Sequence, residues 1–492
     1  MNKVKVRYKT KKIVINDFSK FNLKSKSQSD QVDCGTIYNM VARQGVLKRG
    51  LGIRKLTTYF SNDKTSNLYN IDYSVLELEH FNKVMYFKQY FARTNETAHR
   101  LLIHGSDGKL YLFEMFQGLL SPNWVYLLEF SEEPEVLNYK KDGLDSILIS
   151  ANDKLVVWST NLTPYELSNV PTITSMCVYN DVLYCTIAGE TDKIWYTKNL
   201  NPESVGIESD ETGFLTLEGS AGGGKKIVVL DENVYVFCDY GIGRVNTYAK
   251  EKPTYNQIYL TNGRIYPKTV AVGGDVAMFM TDDGLYRFNG TAVTKIDVLD
   301  NLLLDSKKDN AVGAILNDDY YLALNINFDD GYTIYCEHFD CINNAVIKLN
   351  MLDNKFDLSR GIDIKNMLPL KAGVEQKMIL TFNGQEKAEI GEFTEGSGNF
   401  FNKIINKFYA TNYIVDKDMQ PMTIRKIVID TKKDETIKIV TDNGEKEFKT
   451  YQQGVNKFDT IIPCNKFKIE ILMEDKDPYV NNVQIEYIIK NN

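Results

Sequence analysis

Three groups of side chains have the residue types and spacing to do chemistry. Gly219, Gly224 and Lys225 stand as glycine, four residues, glycine and lysine, which is most of a phosphate-binding loop. The next position is Lys226 rather than Ser or Thr, so no hydroxyl is there to hold magnesium. Residues 227–230 read as a strand, where the motif needs a helix N-terminus to receive phosphate. A flexible loop is expected, and no nucleotide or other cofactor. Cys336, His338 and Cys341 place two thiols and an imidazole within six residues. A closed zinc site takes four ligands, and no second pair of Cys or His lies nearby in sequence, so a hairpin end with buried thiols is expected rather than a metal site. The acidic pairs Asp282/Asp283, Asp318/Asp319 and Asp329/Asp330 have the composition of a glycoside-hydrolysing carboxylate couple. They fall instead where turns are predicted, and Asp favours turns because its carboxylate bonds nearby backbone N–H groups. With four His (80, 99, 104 and 338) and no nucleophile elbow, general acid–base machinery is scarce, and the chain is not expected to be an enzyme.

The elements that would carry these residues are hairpins. Residues 276–280 and 285–288 are short runs of β-branched, aromatic and apolar residues separated by Asp282, Asp283 and Gly284, with Asn289 and Gly290 beyond. Asp-Gly and Asn-Gly tolerate the positive φ of a tight hairpin turn. Loose copies recur at 99–105 with 109–114, 146–150 with 155–158, 182–187 with 193–197, 233–238 with 243–248, 320–324 with 332–335, and 378–382 with 388–393. A spacing of roughly 40 to 55 residues is the period of propeller blades, whose small sheets bury both faces only by stacking around an axis. The sequence predicts an all-β protein with a β-propeller of seven blades, or six, over residues 57–395. Residues 201–225 read as an insertion, and 298–310 as one short helix between blades.

From about residue 396 the pattern changes. Residues 425–430, 436–440, 466–473 and 483–489 alternate strictly, with Phe467, Ile469, Ile471 and Met473 facing one way. Alternation of that kind means antiparallel strands with one wet face, so 396–492 is predicted to be a separate β-sandwich. Residues 1–56 differ again. They hold fourteen Lys and Arg against three acids, so the remainder must carry eighteen net negative charges to bring the chain to −7. Residues 24–30 are polar and predicted extended or partly disordered on their own. Gly45, Gly50 and Gly52 exclude a sustained helix. A basic N-terminal arm on an acidic body is the expectation, mobile in the free chain and ordered against an acidic neighbour.

Seven Cys without framework spacing argue for free buried thiols. No apolar run approaches the roughly 18 residues of a membrane span, and residues 1–7 lead into no apolar signal core, so the protein is expected to be made in a cytoplasm.

The order of parts resembles that of the tail hub, nozzle and packaged-DNA stabilisation proteins of tailed bacteriophages. The resemblance rests on Asn39, Gly45, Lys48, Arg49 and Gly52 ahead of a propeller, and on the closing alternation of residues 456–471. It covers the chain from about residue 34 and carries no catalytic residues. It implies a structural virion protein of the neck or tail, a cyclic ring of copies (hexamer or dodecamer) touching portal, adaptor or other tail proteins, with DNA passing down the lumen without sequence-specific binding. In that setting Arg43, Lys48, Arg49, Arg54 and Lys55, clustered where the chain enters the propeller, are the expected partner-docking residues. The alternative is a carbohydrate- or receptor-binding propeller, with or without glycosidase activity.

Overall fold

The computed structural model describes residues 7–18, 34–55, 57–59, 68–70, 78, 81–91, 96–115, 123–141, 144–159, 164–168, 170–247, 252–328, 330–333, 337, 341–372, 375–383, 388–395, 397–400, 405–475 and 477–491. Residues 24–30, expected to be extended, lie outside them.

Seven four-stranded antiparallel sheets follow one another along the chain. Blade one runs Phe81–Phe91, Glu96–Gly105, Lys109–Met115 and Asn123–Glu129. Blade two begins at Glu135–Lys141, blade three at Ile173–Tyr179, blade four at Gly224–Leu230, blade five at Ala271–Gly273, blade six at Lys307–Leu316 and blade seven at Asp363–Ala372. The first strand of each sheet touches the opening strands of the next, and Phe81–Phe91 of blade one touches Asp363–Ala372 of blade seven, so the series closes on itself. The sheets form a seven-bladed propeller whose first strands are innermost.

The hairpins form because the turn residues accept positive φ. Asn152 and Asp153 both do, as do Asn180 with Asp181 and Asp231 with Glu232, the two-residue geometry that matches the twist of the flanking strands. The buried runs are continuous because each sheet is covered on both sides. In blade two, Ile147 and Ile149 pack toward Leu102 and Leu110 of blade one, while Leu148 between them packs toward Met176 and Leu183 of blade three.

Three details differ from the sequence prediction. The partner of Asp319–Asn325 in blade six is Ala345–Asn350; of the strand expected at 332–335, residues 334 and 335 lie outside the described residues. Part of the expected insertion, Gly213–Thr216, is the fourth strand of blade three. The helix expected at 298–310 shrinks to a 3-10 turn and one α-turn, Asp300–Leu303. Among the described residues no helix is long and apolar enough to cross a membrane.

The largest difference concerns residues 1–56. Their described part is not an arm: its strands are built into sheets whose other strands come from residues 363–491. Arg7–Ile15 runs antiparallel along Tyr479–Asn491. Cys34–Tyr38 pairs with Lys407–Thr411, and the hairpin Met40–Arg43 with Val46–Arg49 joins the sheet of Met422–Thr431 and Gly454–Cys464. Ile15, Phe18, Ile37, Met40 and Leu47 are buried among Ile424, Ile427, Ile437, Ile439, Phe467 and Ile471, so the sandwich core is built from both chain ends. Gly52–Lys55 then completes blade seven by pairing with Ala388–Thr394, Ile53 opposite Phe393. The physical reason is apolar area, since these segments alternate and bury, and Lys11, Arg43, Arg49 and Arg54 find carboxylates within the chain.

Asn39 sits where sandwich and propeller meet. It adopts φ 59°, and its side-chain amide donates to the backbone carbonyls of Arg360 (3.0 Å) and Asn406 (2.8 Å) while its Oδ1 accepts from the Arg360 N–H at 2.9 Å. Asn tolerates the left-handed region and supplies both donor and acceptor, which no apolar residue would do.

Candidate functional site

The innermost strands of six blades, or the residues just before them, and the turn that leads into blade five converge on a cavity of about 580 Å³. Its lysines come one or two to a blade: Lys83 from blade one, Lys225 and Lys226 from blade four, Lys268 from the turn before blade five, and Lys365 from blade seven. Glu132, Glu133 and Glu135 come from the approach to blade two and its first residue.

Four contacts link these groups across the axis. Lys268 pairs with Glu133 at 3.2 Å, Lys83 with Glu133 at 3.7 Å and Glu135 at 3.0 Å, and Lys226 with Glu135 at 3.2 Å. Blades one, two, four and five are thereby bound by charge as well as by apolar packing. Burial would raise the Glu135 pKa, but Lys226 and Lys83 outweigh it and hold the carboxyl at about 2. Burial would likewise lower that of Lys83, and Glu135 and Glu133 reverse it. Both partners are therefore charged at neutral pH.

Lys365 is different. It is half-buried and makes no hydrogen bond or ion pair among the described residues; burial draws its pKa below the usual lysine range, which Asp363 opposes only in part. The lining thus carries five ammonium groups against three carboxylates; Lys225 has Asp239 outside the lining as its partner, and Lys365 is countered only in part by Asp363.

The network sets a pH prediction. A carboxyl depressed from 4.5 to about 2 contributes stability that is present above its unfolded value and lost as pH falls through its folded one. Glu135→Gln should lower unfolding stability by about 3 kcal/mol at neutral pH, since each pKa unit is worth about 1.4 kcal/mol. Its stability should fall less steeply than the parent's between about pH 4.5 and 2. Urea titrations across that range decide the point; parallel acid limbs would show that Glu135 is not the group.

The groups singled out in the sequence go elsewhere. Gly219–Ala221 is a 3-10 turn and the following Gly224–Leu230 is the innermost strand of blade four. Lys225, which pairs with Asp239 at 3.6 Å, therefore reaches the axial cavity by strand position and not by a phosphate loop. Cys336 and His338 lie outside the described residues, as does Asp329. Cys341 is half-buried, and Cys177, Cys185, Cys238 and Cys464 are buried and free. Burial pushes the Cys185 thiol up to about 12. Asp282 accepts from the Arg264 N–H (2.8 Å) and Tyr266 hydroxyl (2.6 Å), a structural turn role. Asp330 and Glu337 hold Arg360, which is nearly fully buried: Nη1 donates to Asp330 at 2.6 Å, and Nε and Nη2 to Glu337, each at 2.8 Å.

Of the expected docking residues, three are brought into ion pairs within the chain. Arg43 pairs with Glu395 at 2.9 Å, Arg49 with Asp477 and Arg54 with the buried Glu392. Lys48 is exposed on its hairpin, and Lys55 lies in the closing strand opposite Gly391. They do not form one cluster on a free arm.

No family model and no curated protein matches the sequence. Among solved structures the chain is similar to the AfRom2 CNH domain, with TM-score 0.38, 10% identity, and 64% of this chain and 96% of that one covered. It is also similar to Kluyveromyces lactis Hsv2, with TM-score 0.33, 10% identity, and 63% and 98% covered. Both are eukaryotic β-propeller proteins, and on that finding the resemblance to phage tail hub, nozzle and packaged-DNA stabilisation proteins is corrected. The ring of copies, the portal or adaptor contact, the DNA in the lumen and the virion location rested on that resemblance and go no further. The strand order stands by itself: the chain is an all-β protein built on a β-propeller.

Proposed function

We propose that the chain is a carbohydrate-binding propeller, without hydrolytic chemistry, that takes an acidic saccharide at the axial mouth. The observation that carries this reading is the surplus of ammonium groups in the axial cavity, with Lys365 making no ion pair among the described residues and countered only in part by Asp363. A carboxylate or sulfate on a sugar supplies the missing counter-ion, and Thr172, Thr174 and Thr191 add hydroxyls at the same wall. The cavity's coupled carboxyl, Glu135, stays ionised as a counter-ion for Lys83 and Lys226, so it brings no proton to a leaving group.

Calorimetric titration with a sulfated disaccharide and its unsulfated counterpart tests this. The sulfated sugar should bind, weaken as salt is raised, lose at least about tenfold in affinity in Lys268→Met/Lys365→Met, and be recovered uncleaved. Equal binding of both sugars, no binding of either, or indifference to the double substitution would reject it.

A further inference from the structure

A second cavity, of about 770 Å³, opens beside blade six, between the start of its first strand and the described residues that follow Asp319–Asn325. Its volume is that of a small-molecule site. It shares no lining residue with the axial cavity.

The lining narrows the ligand class by elimination. Asp305, Asp309, Asn310 and Asn327 are exposed and make no side-chain hydrogen bond or ion pair among the described residues. Arg360 reaches the wall, but its guanidinium is already committed to Asp330, Glu337 and the Tyr332 carbonyl. Among the described residues Lys307 is then the one lining cation left to set against Asp305 and Asp309, so a phosphate or carboxylate ligand meets net repulsion. An apolar ligand would strand four polar groups against it. A cationic ligand would have to rely on two exposed carboxylates, where solvent and salt screen the attraction. What remains is a neutral molecule that both donates and accepts. The amides of Asn310 and Asn327 each present a carbonyl and an NH₂ side by side, which is the complement of neighbouring sugar hydroxyls.

Two aromatic rings, Phe328 and Tyr332, complete the wall. The Arg360 guanidinium stacks on Phe328 at 4.0 Å, and Tyr332 lies 5.4 Å from Phe408 between ring centres, with the Lys438 ammonium 5.7 Å over its ring. Each therefore has a fixed orientation before any ligand arrives, which spares a ligand the cost of ordering it.

We infer that this cavity is a binding site for a neutral saccharide, held by Asn310 and Asn327 against Phe328 and Tyr332. Saturation-transfer NMR on the full chain tests it, with maltotriose, the N-acetylglucosamine trimer, their monosaccharides and spermidine as probes. At least one neutral sugar should receive saturation, and the trimer arms against the monosaccharide arms show whether a chain or a single residue is the ligand. Asn310→Ala/Asn327→Ala should weaken that binding at least about tenfold while leaving the melting temperature unchanged; if the double variant melts early, Asn327→Ala alone serves. Absence of transfer to every neutral sugar, transfer untouched by the substitutions, or binding of spermidine alone that is lost in Asp305→Asn/Asp309→Asn would overturn the assignment. Lys268→Met/Lys365→Met should leave this binding intact, so failure here and failure at the axial mouth are separable.

Discussion

Arg360→Met should cost the protein about 3 to 5 kcal/mol, the penalty of leaving buried carboxylates without their cation. Asp330 and Glu337 have side chains only 5% and 13% exposed, and three of the guanidinium's four hydrogen bonds go to them. The fourth, to the Tyr332 carbonyl at 2.8 Å, pins the backbone beyond Asp319–Asn325. The same group stacks on Phe328 and lies 4.8 Å from the Tyr38 ring, so packing is lost with the charge. Urea unfolding of Arg360→Met gives the magnitude, and limited proteolysis should show faster cleavage between residues 326 and 344. The triple variant Arg360→Met/Asp330→Asn/Glu337→Gln separates the causes. If uncompensated charge dominates, the triple variant should recover a large part of the loss, because no bare carboxylate remains. A single variant within about 1 kcal/mol of the parent would mean that solvent reaches the cluster and that the ion pairs are marginal.

How much of this was readable from the sequence follows from the distance over which each feature is encoded. The hairpins were legible because strand, turn and strand sit within about fifteen residues of one another; Asn152, Asp153 and Gly284 announce their own backbone conformations. The sandwich strands were legible because alternation is local. The use of residues 7–55 was not. Ile53 meets Phe393, and Lys11 meets Asp416, across more than three hundred residues, and nothing near Lys11 says where its counter-charge lies. A segment whose partners are that remote reads as a surplus of positive charge. The axial cavity was hidden for a related reason. Lys83, Glu135, Lys226, Lys268 and Lys365 each hold an unremarkable place on a different blade, and only the ring brings them together. A search for short motifs drew attention to Lys225 and Lys226 for a phosphate loop that does not form. The signal that would have found the site is position rather than motif: charged residues at the start of successive innermost strands.

Gly52→Ala should be damaging out of proportion to its size, because it strikes the closure of the propeller. A Cβ at Gly52 would stand 2.0 Å from the Ser397 carbonyl oxygen, 2.6 Å from its carbon and 2.7 Å from the Asn399 oxygen. All three are backbone atoms, so no rotamer change makes room. The backbone must move, and the move is opposed by the Ile53 N–H, which donates to the Asn399 oxygen at 3.0 Å. Ile53 itself is fully buried among Val312, Val346, Phe382 and Phe400, so displacing it opens the interface between blades six and seven. Overpacking of this kind costs typically about 1 to 3 kcal/mol, and the upper end is expected where the obstacle is main chain. Gly219→Ala is the matched control: nothing lies within 4 Å of its added methyl, and stability should stay within about 0.5 kcal/mol of the parent. Hydrogen exchange locates the damage. Protection should fall along Ala388–Thr394, the strand that Gly52–Lys55 covers, while the sheet of blade three keeps its rates. If Gly52→Ala exchanges and unfolds like Gly219→Ala, blade seven stands without its N-terminal strand and the ring is closed by the contact between blades one and seven alone.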